Sequence, residues 1–113
     1  MKDRSQDKVH LANMIVIMDD LLCDLRRYSE EDLENDNNIY CHYVNQLEKI
    51  GSEVRELTDE CRQKYPLTNW KDWESGQNAA GNTAEIVWYI MNNDLVRLWN
   101  QVLQYFKVEK DLN

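Results

Sequence analysis

Proline occurs once and glycine three times in 113 residues, phenylalanine once, and lysine plus arginine number 13 against 21 acidic residues. Each scarcity excludes something. Strands joined by tight turns draw on glycine and proline, so an all-β fold is not expected. The formal charge of −8 and a pI near 4.7 disfavour RNA as a non-specific partner, because phosphate binding draws on clustered Lys and Arg. A basic partner would be attracted instead. No apolar run approaches the length of a membrane span. Cys23, Cys41 and Cys61 are an odd number without C-x-x-C spacing, and read as reduced core or near-core thiols of a cytoplasmic protein. His10 and His42 are the only histidines and make no ligand pair at helical spacing, so neither metal nor cofactor is expected. Met1-Lys2-Asp3-Arg4-Ser5 runs into charge, unlike a secretion signal.

What is present is helical periodicity. A 42% share of hydrophobic residues suffices for one core, and the chain reads as a single domain, 1–113. Leu11, Met14, Ile15, Met18, Leu21, Leu22 and Leu25 mark a first amphipathic helix from about Ser5 to Tyr28. Ser29 offers an N-cap with acidic residues behind it, and Glu34 to Asn38 reads as a polar connection. A second helix is predicted over about Asn38 to Lys64, with its stripe on Tyr40, Val44, Leu47, Val54, Leu57 and Cys61. Gly51 lies on that stripe and implies close approach of another backbone. Pro66 ends the segment.

Thr68 or Asn69 can cap a short helix from Trp70 to about Gln77. Asn82-Thr83-Ala84-Glu85 then resembles a capping box with Asn82 as the cap. The last helix carries Val87, Ile90, Met91, Leu95, Leu98, Val102 and Phe106 on one face, and fraying is expected over 107–113. The outline is an all-α up-and-down bundle of three long helices plus one or two short ones. Four tryptophans are more than three such helices readily bury, so Trp73, Trp88 and Trp99 are candidates for a dimer or partner surface.

Leu47-Glu48-Lys49-Ile50-Gly51-Ser52-Glu53, then Leu57, Arg62, Tyr65-Pro66 and Trp70, resemble the L-E-x-I-G-E-A signature and L-x-x-x-x-R-x-x-Y-P-x-x-P-W continuation of HepT-like proteins in the HEPN superfamily. Asn69 stands at the second proline. Asp7-Lys8 to Tyr28 and Glu85 to Leu98 are similar to the family's first and last helices. The resemblance implies a homodimeric HEPN-type bundle of a toxin–antitoxin system. Its implied partner is a minimal nucleotidyltransferase, and the family's activity is metal-independent RNA cleavage through R-N-x-x-x-H.

Counting forward from Trp70 puts Gln77 at the arginine, Asn78 at the asparagine, Ala79, Ala80 and Gly81 at the variable positions, and Asn82 at the histidine. No Arg stands five residues before a His anywhere in the chain. Glutamine and asparagine hydrogen-bond, but neither clamps phosphate by charge nor exchanges protons near neutral pH. The expected activity is therefore binding without nuclease chemistry. The alternatives are a ribonuclease using His42, Arg62 or Tyr89, and a nucleotide-binding module at Gln77–Asn82. His42 is expected to pack between helices. Arg62, Lys64 and Lys71 could form a basic rim near the motif, although pairing with acids such as Glu60 and Asp72 is the commoner use of such side chains.

Overall fold

Seven α-helices occupy most of residues 2–78 and 81–112, the part of the chain that the computed structural model describes. No strand occurs among the described residues. The long helices are α1 (Asp7–Asp24), α3 (Asn37–Glu56) and α7 (Leu95–Lys110). The short ones are α2 (Glu30–Asn35), α4 (Asp59–Lys64), α5 (Trp70–Glu74) and α6 (Ala84–Tyr89). Helix α1 packs against both α3 and α7. Leu11, Met14, Met18 and Leu21 meet Leu47, Ile50 and Val54 of α3 and Leu95, Leu98 and Val102 of α7 in one core. These are the apolar stripes of amphipathic helices, and removing them from water is the main force that gathers the bundle.

Local chemistry sets the boundaries. Ser29 Oγ accepts from the Asp32 N–H, and the Asp32 carboxylate accepts from the Ser29 N–H at 2.8 Å, a complete capping box for α2. The predicted polar connection shrinks to Asp36, whose carboxylate accepts from the Asn38 N–H at 2.9 Å and starts α3. The predicted second helix is not continuous to Lys64. It breaks at Leu57–Thr58 because Asp7, fully buried on α1, accepts from the Thr58 N–H at 2.9 Å and from its hydroxyl at 2.6 Å. Thr58 Oγ1 in turn caps the Cys61 N–H at 3.2 Å, and α4 begins.

The expected fraying over 107–113 also gives way. Helix α7 runs to Lys110 because Glu109, only 5% exposed, accepts from Tyr65 Oη at 2.5 Å, from Lys64 Nζ at 2.9 Å, and from Arg4. Burial pushes the Glu109 carboxyl up, but hydrogen bonds from Arg4, Tyr65 and Lys64 outweigh it and hold the group at about 2, against an ordinary 4.5. A carboxylate with a depressed folded-state pKa stabilises the fold above its unfolded value and loses that contribution as pH falls toward the folded one. Stability is therefore expected to drop by about 2–3 kcal/mol between pH 6 and pH 2 through this group. Urea melts across that range check it, and Glu109→Gln should flatten the slope by that amount.

Two steps of four, Val87 to Met91 and Met91 to Leu95, precede the 3–4 alternation of α7. An α-helix would rotate this stripe away from the core. A π-helical turn over Ile90–Asp94 absorbs the extra residue and keeps all three side chains buried. Asn92 and Asn93 donate to the carbonyls of Trp88 and Tyr89 at 2.8 and 3.0 Å, which tethers the irregular turn.

The tryptophans distribute unlike the expectation. Trp70 and Trp73 are buried at 6% and 4% exposure, so Trp73 cannot serve as an outer contact surface. Trp88 and Trp99 lie half-buried against the core, Trp99 donating to Asp19 at 2.6 Å. Cys61 is buried, whereas Cys23 and Cys41 are exposed and outside the core. No described helix is long and apolar enough to cross a membrane.

Candidate functional site

The site begins at Gly51. A Cβ there would lie 2.7 Å from the Trp73 carbonyl oxygen and 2.9 Å from that of Glu74, so α3 and the α5 segment touch backbone to backbone. Tyr65 before Pro66 adopts φ −123° and ψ 68°, and Asn69 then caps α5. Asn69 Oδ1 accepts from the Asp72 N–H at 3.4 Å, and its Nδ2 donates to the Asp72 carboxylate at 2.7 Å. A 3-10 turn, Gly76–Asn78, follows, with Gly76 and Gln77 at φ +62° and +60°. Left-handed backbone at a glutamine costs on the order of 1 kcal/mol, so the surrounding packing must hold it.

The far end of the loop is tied by Tyr40 of α3, whose hydroxyl donates to the Asn82 carbonyl at 2.5 Å. Asn82 Nδ2 donates to the Gln77 carbonyl at 3.4 Å, which draws the two ends of the motif together. Asn82 does not cap α6 as expected. Thr83 does, its hydroxyl accepting from the Ile86 N–H at 3.3 Å. Ala79 and Ala80, the middle of the motif, lie outside the described residues.

Beside this loop lies a cleft of about 190 Å³, bounded by Trp73 and Gln77 on one side and by Asp94, Arg97, Leu98 and Gln101 of the last helix on the other. Leu67 and Asn69 stand at its rim with Asp72. Thr68 beneath it is 4% exposed, hydrogen-bonded to Gln101 Oε1 and to the Tyr105 hydroxyl at 2.6 Å each. Asp94, Arg97 and Gln101 sit at i, i+3 and i+7 on the last helix and were not among the sequence candidates. Their spacing was readable as a polar stripe beside the apolar one, but only the fold sets that stripe against Gln77.

The other candidates are scattered. Arg62 is held by Glu74 and by the Val54 carbonyl at 2.7 Å, and Lys64 belongs to the Glu109 cluster. Lys71 is an exposed side chain on α5. These three form no common basic rim, and the acids that hold Arg62 and Lys64 are Glu74 and Glu109 rather than the nearby Glu60 and Asp72. His42 is not packed between helices. Its side chain is 53% exposed and faces Asp24 across 3.3 Å, two residues and thus ~200° of helix away from the Tyr40 that reaches Asn82. His10 pairs with Glu53 at 2.7 Å. Tyr89 is 61% exposed on α6.

Chemically, the cleft offers amides, two carboxylates and one guanidinium around an indole. That set can bind polar groups through hydrogen bonds and charge, and it contains no histidine or cysteine. Cys61 is no nucleophile either, since burial pushes its thiol up to about 12. Among the described residues no group of His, Cys, Asp and Glu is placed to hold a metal ion. Compared with known protein families, with curated proteins and with solved structures, the chain matches none.

Proposed function

We propose that this chain is a HepT-like module of the HEPN type that works by association, with itself and with a minimal nucleotidyltransferase of a toxin–antitoxin pair, and not by cleaving RNA. The observation that carries the reading is the cleft beside Gln77. Where RNA cleavage would need a proton-transfer group and a cation aimed at one phosphate, this cleft is lined by a single cation, Arg97, together with the carboxylates of Asp72 and Asp94, and by no histidine. Both histidines are engaged with carboxylates elsewhere, by contacts of 2.7 and 3.3 Å. A net charge of −8 further weakens attraction for a polyanion.

The alternative of a ribonuclease built from His42, Arg62 and Tyr89 has no support in geometry. Arg62 is fastened to Glu74 and to the Val54 carbonyl, while His42 faces Asp24. The test is a labelled RNA panel in EDTA with the purified chain, alongside sedimentation equilibrium. Uncleaved RNA and a dimer are the expected results. Cleavage abolished by His42→Ala would overturn the non-catalytic reading, and a strict monomer at high concentration would overturn self-association.

A further inference from the structure

Helix α4 is fastened differently from the rest of the bundle. Cys61 is the one buried residue of its six, so little apolar surface holds it down. Polar bonds hold it instead, at both ends. At its start the buried Asp7 carboxylate of α1 accepts from the Thr58 N–H and hydroxyl at 2.9 and 2.6 Å. At its end the Glu109 carboxylate of α7 accepts from Lys64 Nζ and the Tyr65 hydroxyl at 2.9 and 2.5 Å. Arg4 joins the two fastenings, its Nη1 bonded to Asp7 at 2.9 Å and paired with Glu109. The backbone leaves helical geometry on either side, at Leu57 (ψ 143°) and at Tyr65 (ψ 68°), two places able to act as hinges. From the middle of α4, Arg62 donates to the Val54 carbonyl and to Glu74, yet its Nε is buried without a partner among the described residues. That unmet donor is a cost of the closed arrangement, because water satisfies it once the helix lifts.

We propose that α4 is a hinged flap, latched at both ends by buried carboxylates that Arg4 holds together, and that it opens as a unit over Cys61 while the three long helices stay packed. The free energy of such a local opening is set by the bonds of the segment itself, not by the stability of the whole fold. Opening brings to solvent a thiol that is 0% exposed when the flap is closed. Arg4 is the latch, since without it Asp7 and Glu109 lose their shared cation together.

Cys23 and Cys41 are exposed, so Cys23→Ser with Cys41→Ser gives a parent chain in which Cys61 is the single thiol. The test is the rate at which the neutral reagent iodoacetamide labels it at fixed pH. Below about 1 M urea the rate in the parent is expected to stay flat, because lifting one short helix exposes little surface. Arg4→Met is expected to raise the rate at least about tenfold without adding a slope in urea. Electrostatics alone gives the opposite sign. The Arg4 cation favours the thiolate, which is the reactive form, so its removal would slow the labelling of a thiol that stayed equally covered. An unchanged or slower rate in Arg4→Met would therefore overturn the flap. So would a parent rate that climbs with urea as steeply as global unfolding followed by circular dichroism. Should Arg4→Met fail to fold, the urea dependence of the parent carries the test: a flat rate supports the flap and a steep one overturns it.

Discussion

Gly51→Ala is expected to destabilise the protein by about 2–3 kcal/mol and to displace the segment that carries Gln77. The added Cβ would stand 2.7 and 2.9 Å from the carbonyl oxygens of Trp73 and Glu74, and 3.0 Å from the Gly76 nitrogen. All three are backbone atoms, which cannot swing aside as the end of a flexible side chain does. Intrinsic propensity pulls the other way, since alanine in a helix interior is favoured over glycine by about 1 kcal/mol. The sign of the change therefore reports whether the α5 segment lies against α3. Urea denaturation followed by circular dichroism gives the stability, and the emission of buried Trp73 reports the displacement. A gain in stability would sink this account of the close approach.

The second large effect is at Asp7. Its carboxylate is fully buried and takes hydrogen bonds from the Thr58 N–H, the Thr58 hydroxyl and Arg4 Nη1, the last at 2.9 Å. Asp7→Ala removes all three hydrogen bonds at once, leaving a buried N–H unsatisfied and Arg4 with fewer partners. Such losses cost about 3–4 kcal/mol. Asp7→Asn keeps one carbonyl acceptor for the Thr58 N–H and should cost less than Asp7→Ala. Hydrogen exchange gives a local check, since the amides of Thr58 and Cys61 at the start of α4 should lose protection before those in the middle of α3. An alanine variant within about 1 kcal/mol of wild type would mean that the Asp7–Thr58 link does not hold the break.

These two positions differ in how far the sequence exposes them. Gly51 is legible, because a glycine on the apolar stripe of a helix has few uses other than close approach. Asp7 is not legible. It reads as an ordinary charged residue in a first turn, since nothing local announces that Thr58, 51 residues away, will come to it. The same contrast runs through the cleft. Gln77 and Asn82 stand out by their place in a motif-like segment. Arg97 and Asp94 do not, because a polar stripe on a helix is indistinguishable from solvated surface until its neighbours are known. The error over Asn82 is of a smaller kind. Asn82 and Thr83 are adjacent and equally able to cap, and Tyr40 decides between them by holding the Asn82 carbonyl.

By itself the sequence determined the all-helical class and the inward faces of the three long helices, because periodicity and the scarcity of glycine and proline are local properties. It also determined that the motif-like segment carries amides, Gln77 and Asn82, where an arginine and a histidine would stand, since residue identity does not depend on the fold. Only the tertiary structure decided where the second helix breaks, that the last helix stays docked through Glu109, and that Gln77 shares a cleft with Asp94 and Arg97. Each of these follows from contacts between residues remote in the chain, where a buried charge or hydrogen-bonding group must find its partner and the backbone yields to supply it.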